Sequence, residues 1–165
     1  MKISRLLFSV MIIVFLFSSF AGCSSSNDME RPLRCVMDGI NQNNPEKLLN
    51  ALFPSWRDRH PPTGLNAYCE EMKEYYGADA KCTYVIDSNE ALGEGLLSEL
   101  ISMMATPLEI EEAAALRLTV SFTGSDDTDT ELWLLYVMKV DGQWYLAELY
   151  NLRDIFDLPP ERPQY

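Results

Sequence analysis

A dipeptide constrains this chain most. Asp141-Gly142 stands between two apolar-rich runs, Glu131 to Val140 and Gln143 to Asn151. Asp-Gly suits a two-residue hairpin loop because both central positions of the favoured turn need positive φ. The run before it is apolar on both faces, as expected at the centre of a covered sheet. The run after it places Trp144, Leu146, Glu148 and Tyr150 on one side of a strand. Upstream, Leu116, Leu118, Val120 and Phe122 alternate with Arg117, Thr119, Ser121 and Thr123, the period-two pattern of a half-buried strand. Gly124 to Asp129 is the acidic turn that joins this strand to the next. Lys81 to Asp87 supplies a further strand, with Cys82, Tyr84 and Ile86 on one face. Chain order and short turns predict an antiparallel meander.

The first half of the chain follows a different period. Leu33, Val36, Met37 and Ile40 fall at i, i+3, i+4 and i+7 behind Pro32, a residue suited to a first helical turn. Asn44-Pro45 opens a second helix as N-cap and first turn, with Leu48, Leu49, Leu52 and Phe53 as its stripe. Pro54, Pro61 and Pro62 mark residues 54–63 as a loop. Leu65, Tyr68, Cys69, Met72, Tyr75 and Tyr76 make a third helix, which Gly77 stops. Between the first two strands, Leu96, Leu97, Leu100, Ile101 and Met104 read as a short helix ending before Pro107. Helices followed by a meander predict an α+β fold, with N-terminal helices packed on one face of a curved antiparallel sheet. Leu158-Pro159-Pro160-Glu161-Arg162-Pro163 continues neither element, so residues 153–165 read as a tail.

Lys139-Val140-Asp141-Gly142-Gln143-Trp144-Tyr145-Leu146 resembles the penultimate hairpin of lipid-anchored bacterial domains similar to nuclear transport factor 2, the cystatin-like cone. The resemblance spans residues 30–152. It implies a cone-like sheet whose Trp144/Glu148 face lines the interior. The family hosts enzymes, ligand carriers and assembly modules, so it constrains fold more than function.

The N-terminus states a location. Lys2 and Arg5 precede a 12-residue apolar run from Leu6 to Phe17, followed by small and polar residues. That is the layout of a secretory signal. A permanent span needs ~20 apolar residues, and this run is too short. Phe20-Ala21-Gly22-Cys23 resembles the lipobox of bacterial lipoproteins, with Phe20 where Leu is usual. The resemblance implies cleavage after residue 22, lipidation of Cys23 and a short tether over residues 23–29. Two acyl chains hold a protein stably where one holds it reversibly. Loss of Lys2 and Arg5 takes the net charge from −12 to −14. Such a charge excludes nucleic acid as a partner, because phosphate is repelled. The expected partners are the membrane, through Cys23, and a small ligand or cell-envelope protein. The expected location is the extracytoplasmic face of a bacterial cell membrane.

Few residues point to chemistry. Cys35, Cys69 and Cys82 remain in the mature chain, none with C-x-x-C spacing. If a disulfide forms, Cys69–Cys82 is the expected pair, since both lie on apolar faces; two buried free thiols are the other reading. Cys35 falls opposite the apolar stripe of its helix. Asp126 to Glu131 offers D-x-D-x-E, but Leu132 stands at the turn-glycine position and Met138 where a bidentate Glu belongs, so the loop reads as solvated. The sequence calls for no metal and no cofactor. His60 is the only histidine, in a loop between Arg57, Arg59 and two prolines. Glu148 draws the most interest, because a carboxylate among aromatics is desolvated and its pKa raised. Glu148, Tyr84, Tyr136, Trp144 and Tyr150 are therefore the candidate pocket. The resulting expectation is a lipid-anchored, non-catalytic binding module. Beside it stand an enzyme using buried Glu148, and an assembly module using an exposed sheet face.

Overall fold

The computed structural model describes residues 28–93, 95, 98 and 109–156. The signal segment 1–22, Cys23, the tether to residue 27, the stripe at 96–104 and residues 157–165 lie outside them. Among the described residues the architecture is α+β: four helices, α1 (Arg31–Asn41), α2 (Pro45–Leu49), α3 (Pro54–Arg57) and α4 (Leu65–Tyr76), precede a meander of β1 (Lys81–Ala91), β2 (Glu112–Thr123), β3 (Thr128–Val140) and β4 (Gln143–Leu146). The sheet is antiparallel and open, in the order β1-β2-β3-β4.

Periodicity placed the core. Leu33, Val36, Met37 and Ile40 are all buried under α1, and Leu65, Cys69 and Met72 under α4. They meet Leu116, Leu118, Val120 and Phe122 of β2 and Trp133, Leu135 and Val137 of β3 in one cluster. Each large apolar side chain so buried contributes about 1.5–3 kcal/mol before entropy is subtracted. The cluster runs past the meander: Leu152, Ile155 and Phe156 belong to it, and Ile155 O accepts from Gly64 N (2.9 Å) at the start of α4. The first four residues of the expected tail are therefore part of the packed domain.

The Asp-Gly hairpin forms as its sequence requires, Asp141 at φ +50° and Gly142 at φ +73°, with Val140 opposite Gln143. Gly77 ends α4 at φ +102°, where a side chain would meet the Ser125 hydroxyl.

Four expectations are corrected. The second helix stops at Leu49 instead of reaching Phe53, because the chain extends there to join the sheet edge: Leu146 N donates to Ala51 O (2.8 Å) in a parallel bridge of Leu52 to Leu146. Within the expected loop 54–63, residues 54–57 form a helical turn begun by Pro54. Cys35 is half-buried against the core instead of opposite it. The last strand ends at Leu146, five residues early. Glu148 Oε2 accepts from Tyr150 N (2.7 Å), and the Asn151 amide takes the Leu134 carbonyl (2.6 Å), so a turn at Tyr150–Leu152 replaces the ladder.

A register shift between Ile86 and Ser88 makes β1 bulge at Asp87, and pairing resumes with Ser88 opposite Arg117. Among the described residues, the sheet's outer face is covered at one end only. There Ala113, Met138, Val140, Tyr145 and Ala147 pack with Phe53, Trp56, Leu92 and Ile110.

Candidate functional site

The expected pocket does not assemble. Trp144 is buried on the helix side of the sheet, within the main core. Tyr136 is on the opposite side, half-buried against the outer-face cluster. Tyr150 is 50% exposed. Glu148 is half-buried and holds the turn amide of Tyr150. Tyr84 sits on β1, at the far edge of the sheet from β4.

The concave feature that Tyr84 does line is a cleft of about 350 Å³ between α1 and the edge of β1. Arg34, Met37, Asp38 and Asn41 form its helical wall, and Cys82, Thr83 and Tyr84 its strand wall. A smaller hollow of about 190 Å³, lined by Cys69, Met72 and Lys73 among others, lies on the other side of Asn41.

Asn41 organises this edge. Its Oδ1 accepts from Cys82 N (2.7 Å) and its Nδ2 donates to Cys82 O (2.8 Å), so one side-chain amide stands where a neighbouring strand would pair. In an antiparallel ladder, alternate residues point their N–H and C=O the same way. The backbone groups of Tyr84 therefore point off the same edge as those of Cys82, into the cleft. Arg34 is held at the other end by an ion pair with Asp28, which also accepts from Glu30 N (3.1 Å) and so fixes where the chain enters the domain. Arg34 holds the Asp28 carboxyl below the usual carboxylate range. Burial raises the Tyr84 phenol, and the neighbouring Glu30 carboxylate adds to it, so Tyr84 presents a neutral hydroxyl.

The thiols are free. Cys69 Sγ donates to Ile40 O (3.3 Å), and Cys82 Sγ to the Met37 thioether (3.4 Å). Burial pushes the Cys82 thiol up to about 12, and it raises Cys69 and Cys35 as well. None of the three is set up as a nucleophile.

The remaining sequence candidates serve their own loops. Arg57 Nε donates to Leu52 O (3.3 Å) and Arg59 Nε to Ser55 O (3.2 Å), which folds the His60 loop back on itself. In the acidic turn, Asp127 and Asp129 each accept from the following backbone amide, and Asp79 accepts from Ser125 N (2.8 Å).

Sequence reasoning missed Asn41 and Arg31. Arg31 donates to Trp144 O (3.2 Å) and lies over the Tyr145 ring, 5.9 Å from its centroid, clamping α1 to β4. Neither residue belongs to a motif; each acts on a partner far away in the chain. No known protein family matches the sequence, and no curated protein is similar enough to it to be called a relative.

Proposed function

We propose that this chain is a lipid-anchored, extracytoplasmic binding module that takes a small ligand or a segment of an envelope partner into the cleft between α1 and β1. The cleft carries the reading: it is open, bordered by an unfilled strand edge, and offers a guanidinium, a carboxylate, a neutral phenol and a thioether. Backbone groups pointing off β1 favour an occupant with alternating donors and acceptors, such as an extended peptide.

The anchor rests on the lipobox-like Phe20-Ala21-Gly22-Cys23, and the cone-like shape on the resemblance of the Lys139–Leu146 hairpin. Asp28 is fixed to the domain and Cys23 lies five residues before it. A fully extended chain spans at most ~3.6 Å per residue, so the tether reaches only about 18 Å. The anchor thus holds the N-terminal end of α1 close to the bilayer, and the cleft beside Arg34 opens near the membrane surface.

An enzyme built on Glu148 with Tyr84 or Tyr136 loses its geometry, since Glu148 lies in the turn after β4 while Tyr84 and Tyr136 lie on β1 and β3, on opposite faces of the sheet. The assembly reading has one observation in its favour, the apolar exposure of the outer sheet face.

The test is a ligand footprint. Extended peptides and small polar compounds are screened for a rise in Tm, and hits are mapped by hydrogen exchange. A true ligand protects residues 34–41 and 82–86 and loses its effect in Tyr84→Ala. Hits that protect other regions, or that Tyr84→Ala leaves unchanged, contradict the cleft.

A further inference from the structure

The two edges of the sheet are closed to different extents. At β4, Leu146 N donates to Ala51 O and Arg31 donates to Trp144 O, so the chain itself occupies that edge. At β1, the Asn41 amide occupies Cys82 and reaches no further. Tyr84 and Ile86 pair with Val120 and Leu118 in the same register that sets Cys82 opposite Phe122. Their N–H and C=O groups therefore point off the sheet, as those of Cys82 do. Among the described residues, no backbone group takes them up. The open stretch ends at the Asp87 bulge, where the ladder changes register. Thr83 to Ile86 thus leaves about 13 Å of bare edge, at ~3.3 Å per residue.

A bare strand edge is a template for another strand, and chains block such edges with bulges, charges or covering segments. Here the plug at Cys82 and the bulge at Asp87 define the two ends of a short open site, and α1 stands beside it as the second wall of the cleft. Residues of an added strand opposite Tyr84 and Ile86 would point to the same face as those two, toward Arg34, Met37 and Asp38. The residue opposite Val85 would point to the other face, beside a valine that is 63% exposed.

Charge says what such a strand carries. Arg34 is engaged by Asp28 and Lys47 by Asp38. Glu30, close enough to act on the Tyr84 phenol, and Asp87, which accepts from the Thr119 hydroxyl, form no ion pair among the described residues. Lys81 stands beyond the plugged end. The net charge of −12 adds a long-range attraction for cations.

We infer that the cleft's occupant is a short, extended, cationic segment of a partner protein, added to β1 as a fifth strand, with Lys or Arg facing α1 and an apolar residue beside Val85. This rests on the cleft reading above and narrows it to one mode of binding, in which main-chain bonds supply affinity and alternate side chains supply specificity.

The experiment uses the full chain in detergent micelles and two pools of acetylated, amidated octapeptides. One alternates Lys or Arg with Val, Ile, Leu or Thr; the other carries Asp or Glu in place of the basic residues. Amide exchange is read residue by residue by NMR. The cationic pool is expected to slow exchange of the Tyr84 and Ile86 amides at least about tenfold, and to bind at least about tenfold tighter than the anionic pool. The Thr83 and Val85 amides, already turned toward β2, should change little. Slowing spread over residues 34–41 and 82–86 without that alternation would overturn the added strand and leave the cleft reading standing. So would a silent cationic pool when a hit from the thermal screen still protects the cleft. Equal or tighter binding of the anionic pool overturns the inference as well. If neither a peptide nor any screened compound changes residues 82–86, both readings fall together.

Discussion

Asn41 does at the scale of one residue what a fifth strand would do for the sheet. Its amide pairs with both backbone groups of Cys82, so Asn41→Ala leaves an N–H and a carbonyl partly buried without a partner. A buried polar group left unsatisfied costs about 1–3 kcal/mol; chemical denaturation is expected to show a loss in that range, and Asn41→Asp to recover only the bond to Cys82 N. A loss below ~0.5 kcal/mol would mean water replaces the amide freely. Asp28 and Arg34 give a pH signature. The Asp28 carboxyl is lowered from its ordinary 3.8 chiefly by its hydrogen bond to Arg34. The pair's contribution is therefore complete above pH ~3.8 and is lost as pH falls through the lower folded value. Both side chains are partly exposed, so Asp28→Asn should cost only about 0.2–1 kcal/mol at pH 7, and the difference from the native chain should vanish in strong acid. A third consequence concerns Cys82, whose thiol is pushed up to about 12: in the folded protein it should resist alkylation up to pH 9, while half-buried Cys35 reacts first. None of these roles was legible in the sequence. Asn41 is one more polar residue at the end of a helix until Cys82 is brought beside it by folding.

Elements were read best where a local pattern and a covering partner agreed. The stripe of α1, that of α4 except for Tyr75, which is exposed, the alternation of β2 and the Asp141-Gly142 turn were visible in advance, because each is fixed by residues within a few positions of one another. Gly142 sits at φ +73°, a region that costs a residue with a Cβ about 1–2 kcal/mol; Gly142→Ala should lower stability by that amount with no change in the slope of denaturant unfolding. Asn44 accepts from both Glu46 N and Lys47 N at the start of α2, and Asn44→Ala should cost about 1 kcal/mol. Element ends were misread where distant partners decide. Leu52 and Phe53 keep a helical spacing, yet a bond from Leu146 N pulls Ala51 out of the helix. Glu148 and Tyr150 keep a strand spacing, yet Glu148 prefers the amide of Tyr150 to a place in the ladder. The candidate pocket fell with that strand, since its logic required the alternation to run on to Asn151.

At the scale of the molecule, the sheet has two unequal sides. Helices bury the inner face of β2 and the middle of β3, leaving Tyr84 and Ile86 of β1 half-buried, while the other side is packed at one end and beyond it exposes Val85, Leu132 and Leu134 beside Arg117 and Thr119. The cleft lies at neither face but at the edge of β1, close to where Asp28 joins the domain. With the anchor proposed at Cys23, a tether of about 18 Å would leave the cleft facing the space just outside the bilayer, where anionic headgroups would repel an acidic domain. Everything in that arrangement depends on the fate of residue 23. The decisive measurement is intact and peptide mass spectrometry of the mature protein recovered from bacterial membranes. The account predicts an N-terminus at Cys23 bearing diacylglycerol, and loss of membrane association in Cys23→Ser; an N-terminal Met1, or an unmodified mature chain released into the medium, would contradict it.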